Sequence, residues 1–146
     1  MQGALNLFTQ KHYLMKAMIA GKALDIEAGL VSNRTPREVE YDVKAFLKGQ
    51  KKDFKDYRFN LSSFTTFQQR VFKEMVGIPF GENVSYKELA KRVGRPKAFR
   101  AVANACGANP LPIIIPCHRV IASNGLGGYS SGIGIKKHLL RLEGSL

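Results

Sequence analysis

Apolar side chains recur at helical spacing in several stretches of this chain and alternate with polar ones near its start. Leu24-Asp25-Ile26-Glu27-Ala28 alternates, which suits a strand with one wet face. Gly21-Lys22 before it can turn a hairpin from a strand over 13–20. Thr35-Pro36-Arg37-Glu38 then has the form of a capping box, with proline at the first helical position. Val39, Val43, Phe46 and Leu47 follow at helical spacing, and Gly49 closes that helix. The polar, charged stretch 49–63 reads as a connection between two parts.

Beyond it, Phe67, Val71 and Met75 share one face of a second helix that Gly77 ends. Ser85-Tyr86-Lys87-Glu88 predicts another capping box, opening a helix that buries Leu89, Ala90 and Val93 and stops at Gly94. Pro96 starts a further helix almost at once, and two short helices joined so tightly predict a helix-turn-helix. In the second of them, Phe99, Val102, Ala103 and Cys106 form a stripe that should face the core. Ala101, Asn104, Ala105 and Ala108 make an opposite face of small side chains, with Arg100 at its edge. Ile113-Ile114-Ile115, ended by Pro116, has the profile of a buried strand. The expected fold class is α+β. A small N-terminal β-sheet-plus-helix sub-domain over 1–60 precedes a mainly helical, winged-helix-like sub-domain with the helix-turn-helix over 61–146.

Charge sharpens that outline. The chain's 146 residues carry 23 Lys+Arg against 11 Asp+Glu, a formal net charge of +12 that points to a polyanionic partner. Residues 1–60 hold 11 basic and 7 acidic side chains, and residues 61–146 hold 12 and 4, so the basic surface belongs mainly to the second part. Lys87, Lys91, Arg92, Arg95 and Lys97 surround the helix-turn-helix. A charge run is most often a solvated face, but beside this motif the reading is contact with nucleic acid. No apolar stretch approaches the roughly 18 residues of a membrane span, and the first residues lack the pattern of a signal peptide. The expectation is a soluble intracellular protein.

Two cysteines cannot build a disulfide framework, and Cys106 and Cys117 match no common zinc spacing. Cys106 lies on the apolar stripe and reads as a small buried hydrophobe with an inert thiol. Cys117, His118 and Arg119 stand together directly after an apolar run. A thiolate is the nucleophilic form of cysteine, and a neighbouring imidazole or cation can lower its pKa. The residues alone leave two readings open: an activated nucleophile, or a buried cysteine beside a hydrogen-bonded histidine.

The string Asn109-Pro110 … Ile115-Pro116-Cys117-His118-Arg119-Val120 resembles the active-site signature of the O6-alkylguanine-DNA alkyltransferase family. The likeness continues through Gly128-Tyr129-Ser130, Lys136, Leu139-Leu140 and Glu143-Gly144. Upstream it takes in Phe67-Gln68, Ile78-Pro79, Ser85-Tyr86, Leu89-Ala90 and Arg100-Ala101-Val102, so it covers roughly residues 62–146. The resemblance implies a DNA-repair protein that moves an alkyl group from guanine O6 onto its own cysteine, once, without a cofactor. It implies Cys117 as nucleophile, His118 as base through a bridging water, and Glu143 as the group orienting that imidazole. Tyr86 would donate to the guanine ring, Lys136 would stand near the thiol, and the Ser130 amide would donate to O6. Tyr129, Asn109 and Val120 are the further pocket residues it implies. Arg100 would fill the space left by a flipped nucleotide, with Lys87, Arg95, Ala101, Asn104 and Ser123 also on the DNA side. The partner is then double-stranded DNA, entered from the minor groove by a monomer in the cytoplasm or nucleoid, or in the nucleus of a eukaryotic host.

Departures from the family pattern matter too. The zinc site of some relatives needs cysteines and histidines in the N-terminal part, which offers only His12, so no structural zinc is expected. Gly107 replaces a basic side chain of some relatives, which predicts lower DNA affinity. Gly128-Tyr129-Ser130-Ser131-Gly132 fits G-x-S-x-G, but the aspartate and histidine that a hydrolase elbow needs do not follow in order. Two other readings stay in view: a non-catalytic DNA-lesion-binding module and a Cys-His hydrolase.

Overall fold

The computed structural model describes residues 29–50, 52–129 and 132–146. The strands expected over 13–20 and 24–28 lie outside those residues, as does Ser130. Five α-helices are described: α1 Pro36–Leu47, α2 Thr66–Val76, α3 Tyr86–Arg92, α4 Phe99–Gly107 and α5 Ile133–Leu142. Two short strands, β1 Val84–Ser85 and β2 Val120–Ile121, pair in parallel with Val84 opposite Val120 and Ser85 opposite Ile121.

Local chemistry accounts for most boundaries. Thr35 and Glu38 close a reciprocal capping box on α1, with Pro36 in the first turn. The same device, Thr65 with Gln68, starts α2. At α3 only half of the expected box forms: Ser85 Oγ accepts from the Glu88 amide at 3.0 Å, while the Glu88 carboxylate turns to Arg92 at 3.5 Å. Gly94, at φ +80°, makes the left-handed step out of α3. The turn continues through Pro96, so α4 begins at Phe99 rather than at Pro96 as expected. Pro96 fits that turn because it has no amide to donate.

One apolar cluster joins the described parts. Val39, Val43 and Phe46 of α1 share it with Val71, Phe72 and Met75 of α2, Leu89 and Ala90 of α3, and Val102 and Cys106 of α4. The stretch expected to be a polar connection contributes Phe54, Tyr57 and Leu61 to the same cluster. Its charged residues hid three apolar anchors spaced too irregularly to register as an element. Phe54 and Tyr57 pack edge-on, centroids 5.2 Å apart, and Val31 bridges Phe59 in antiparallel fashion. No helix among the described residues is long and apolar enough to cross a membrane.

Two readings of α4 need correction. Phe99 is 38% exposed instead of facing the core, while Ala105, expected outward, is buried. A helix that begins three residues later has no preceding turn to cover Phe99. Ile113–Ile115, expected as a strand, forms a buried turn, and the strand begins only at Val120. Apolar runs cannot distinguish buried strand from buried turn by periodicity.

Candidate active site

The site starts from that buried turn. Asn109 fixes both ends of it: its Nδ2 donates to the Ile115 carbonyl at 2.7 Å, and its Oδ1 accepts from the Leu111 amide at 2.9 Å. Ile113 adopts φ +76°, a left-handed conformation that a β-branched residue rarely tolerates. Such a residue costs about 1–3 kcal/mol and persists only where its surroundings hold it. Here burial of Leu111, Ile113, Ile114 and Ile115 does so. The chain then enters a single 3₁₀ turn, Cys117–Arg119, that presents the three polar side chains to different neighbours.

Cys117 is buried, at 4% exposure. It nevertheless lies in the wall of a pocket of about 410 Å³, shared with Tyr86, Ala103, Asn104, Cys106, Gly107, Gly128 and Tyr129. That volume lies within the range of small-molecule sites. Burial pushes the Cys117 thiol above its ordinary value, opposed by Asn109, Tyr129 and the charge of Lys136. The Tyr129 hydroxyl is buried with no regular hydrogen-bond partner among the described residues, and Tyr129 lines the same pocket as Cys117. The resting thiol is therefore protonated and needs a base.

His118 has the required form. Its Nε2 lies 2.6 Å from Glu143 Oε2, with both side chains buried. Burial lowers the imidazole's pKa, and the Glu143 hydrogen bond opposes this without restoring it. Burial works to raise the Glu143 carboxyl, yet the His118 and Arg119 hydrogen bonds hold it below its ordinary value. A carboxylate accepts only, so Nε2 carries the proton and Nδ1 carries a lone pair. His118 Nδ1 is buried and unpartnered. It is a neutral base one residue from the thiol.

Arg119, assigned no role from the sequence, completes the network. Its Nε and Nη2 donate to Glu143 at 2.9–3.0 Å, its Nη1 to the Ile78 carbonyl at 2.7 Å, and its Nη2 to the Lys52 carbonyl at 3.3 Å. The Gly81 amide adds a further donor to Glu143 Oε1 at 3.2 Å. A guanidinium in an otherwise apolar run was the available sequence signal. It marks a charge that must be met by a buried carboxylate.

Lys136 is fully buried and donates through Nζ to the Val120 carbonyl at 2.7 Å and the Gly128 carbonyl at 3.1 Å. It ties β2 to the glycine-rich loop and sets a positive charge near the sulfur. Val120 enters the site through that carbonyl only, because its side chain is core and not pocket wall as expected. Tyr86, at the start of α3, is pushed up to about 12 by burial, so it remains a proton donor at neutral pH. Its hydroxyl approaches the Gly128 carbonyl at 3.5 Å. Cys106 is buried as expected and its thiol is pushed up to about 12, again by burial. It also reaches the pocket wall, which its place on the apolar stripe did not indicate.

Gly127 adopts φ +72°, and a Cβ there would sit 2.9 Å from both Cε2 and Oη of Tyr86. Gly127→Ala is expected to displace the tyrosine ring and slow the site's chemistry roughly ten- to hundredfold, with DNA affinity within about twofold. Single-turnover kinetics beside a binding titration would test this, and an unchanged rate would contradict it.

A pH dependence follows from the same groups. His118 has a lowered folded pKa, so the unfolded chain binds more protons once pH drops below its ordinary value of 6.5. The depressed Glu143 adds stability that is present above 4.5 and lost as pH falls through its folded value. Both act in one direction. The melting temperature should fall from about pH 6.5 downward, and the upper part of that fall should vanish in His118→Gln.

The helix-turn-helix lies beside the pocket. Lys87, Arg95, Arg100, Ala101, Asn104 and Ser123 are all exposed. Lys87 lies over the Phe99 ring at 5.7 Å and Arg95 over Phe67 at 5.5 Å. Ala103, Asn104, Cys106 and Gly107 of α4 also line the pocket, so one helix borders both the basic surface and the thiol's cavity.

A basic helix-turn-helix whose second helix walls a thiol–imidazole–carboxylate site joins a surface suited to a polyanion with a nucleophile beside its base. The family model for the DNA-binding domain of 6-O-methylguanine DNA methyltransferase matches residues 66–145. The methylated-DNA–protein-cysteine methyltransferase of Methanosarcina acetivorans is 47% identical over 110 residues, which is 75% of this chain and 69% of that relative. Among solved structures, the O6-methylguanine methyltransferase of Mycobacterium tuberculosis is similar at a TM-score of 0.69 and 45% identity, covering 76% of this chain and 67% of that one. The OGT of the same organism in complex with DNA gives 0.64 and 43%, covering 72% of this chain and 63% of that one. This chain belongs to the O6-alkylguanine-DNA alkyltransferase family, with its α+β fold and helix-turn-helix. It is a DNA-repair methyltransferase, and DNA is its partner.

Proposed function

We propose that Cys117 is the acceptor of the alkyl group and that the protein is spent in one reaction. The observation that carries this is the Cys117 sulfur in the wall of the 410 Å³ pocket, beside a neutral His118 oriented by Glu143. His118 Nδ1 takes the thiol proton through a bridging water. The thiolate attacks the alkyl carbon, the C–S bond forms, and the bond from that carbon to guanine O6 breaks. Negative charge arriving on the guanine is met by the Tyr86 hydroxyl, and the proton taken from the thiol ends on the purine. Lys136 favours the thiolate by its charge. Water does not cleave the thioether product, so turnover stops.

O6 lies inside stacked duplex, so the nucleotide must leave the helix at a cost of about a few kcal/mol. Arg100 fills the vacated space, with α4 in the minor groove. The exposed small residues Ala101 and Asn104 allow that close fit, and Lys87, Arg95 and Ser123 contact the backbone. Chemistry and DNA contact reside in residues 61–146, and residues 1–60 support them. The protein acts as a monomer, in the cytoplasm or nucleoid where its substrate is. No cofactor enters this scheme.

The test is duplex DNA carrying labelled O6-methylguanine, followed by peptide mass. Stoichiometric, persistent label on the Cys117 peptide supports the reading. Binding without transfer would support the lesion-sensor alternative, and label that turns over would support a hydrolase. Arg100→Ala should lower transfer from duplex roughly tenfold while transfer from a free base analogue stays within about twofold. Equal losses on both substrates would exclude the space-filling role.

A further inference from the structure

Phe99 is the large apolar side chain of α4 that emerges into solvent. Val102, Ala105 and Cys106 are buried, whereas the Phe99 ring is 38% exposed at the first position of the helix. Exposed Arg95, Lys97 and Arg100 flank it in sequence, and exposed Lys87 lies over the ring with Nζ 5.7 Å from its centroid. A large apolar ring among cations is a poor solvated face, because water gains nothing from it and the ring gains nothing from water. It is a good fit to a partner that offers anionic phosphates at its rim and flat, apolar base faces within.

Resting on the alkyl-transfer reading above, we propose that Phe99 is a second wedge, paired with Arg100, that occupies the base step opened when the damaged nucleotide leaves the duplex. Consecutive helical side chains diverge by about 100° around the axis. The ring and the guanidinium therefore reach two sides of the same gap from one helical turn. Apolar wedges between base steps are how several minor-groove proteins offset lost stacking, and an aromatic ring stacks on any base without reading its identity. That suits a protein that must find damage in every sequence context. Lys87, beside the ring, pairs with a phosphate and sets the depth of insertion. Phe99 is then a positioning residue: it touches DNA but not the reacting atoms.

The test compares Phe99→Ala and Phe99→Trp with the unsubstituted protein on two substrates, O6-methylguanine in duplex DNA and free O6-benzylguanine. Phe99→Ala is expected to lower the transfer rate from duplex roughly tenfold, the scale of one aromatic–base contact. Transfer from the free base should change by less than about twofold, since no step is opened, and Phe99→Trp should recover most of the duplex rate. A 2-aminopurine placed next to the damaged nucleotide should show its fluorescence gain on binding reduced in Phe99→Ala and restored in Phe99→Trp. An unchanged duplex rate in Phe99→Ala, equal losses on the two substrates, or a tryptophan variant as impaired as alanine would each overturn the wedge. An unsubstituted protein that transfers from neither substrate would overturn the alkyl-transfer reading, and this inference with it.

Discussion

Cys117→Ala is expected to remove all transfer of label from O6-methylguanine while leaving duplex affinity within about twofold. The sulfur makes no contact with the basic surface: it lies at 4% exposure in the wall of the cavity behind α4. Phosphate contacts, which dominate non-specific affinity, come from side chains such as Lys87, Arg95 and Arg100. Cys106 is not expected to substitute as acceptor, although it borders the same cavity. Both thiols are raised by burial, but Cys106 Sγ is directed to Met75 Sδ at 3.6 Å, and the unpartnered lone pair of His118 belongs to the residue next to Cys117. Mass analysis of both cysteine peptides separates the possibilities. Label on the Cys106 peptide of the variant, or a large loss of affinity, would contradict the division between binding and chemistry.

The second large effect concerns stability. Glu143 accepts hydrogen bonds from His118, Arg119 and the Gly81 amide, and its carboxylate is the counter-charge of a guanidinium whose side chain is only 3% exposed. Glu143→Gln preserves the shape and removes the charge. Breaking a buried pair from one side costs about 3–5 kcal/mol, because the remaining charge is left uncompensated. For a domain of this size that corresponds to a fall in Tm of roughly 10 °C, measurable by circular dichroism. Transfer should fall as well, since the imidazole loses its charged orienting partner. A fall in Tm of under about 2 °C would show that Arg119 is satisfied by the Ile78 and Lys52 carbonyls alone.

Helices were readable from the sequence where a side chain terminates them. Thr35 with Glu38, Ser85 and Gly94 all act locally, so their effect shows in a few consecutive residues, whereas the Thr65–Gln68 box that starts α2 was not read. The signature around Cys117 was equally plain, because three polar side chains after an apolar run demand an explanation. What escaped was decided by residues distant in the chain. Phe99 is exposed because α4 starts late. Ile113 can hold a left-handed turn because Asn109 and a buried surround impose it. Arg119 makes sense only once residues 52, 78 and 143 meet around it. The depth of Cys117 belongs to this class too: spacing identified the reagent, but tertiary packing decided that it is covered.

That covering has a consequence for how long the molecule keeps its capacity. A reagent good for a single use is wasted if stray electrophiles or oxidants reach it first. With its thiol 4% exposed in the wall of one cavity and protonated at rest, the protein should react slowly with electrophiles and oxidants that do not fit that cavity. Its shelf life is thus set by the same steric shield that a correctly seated lesion bypasses.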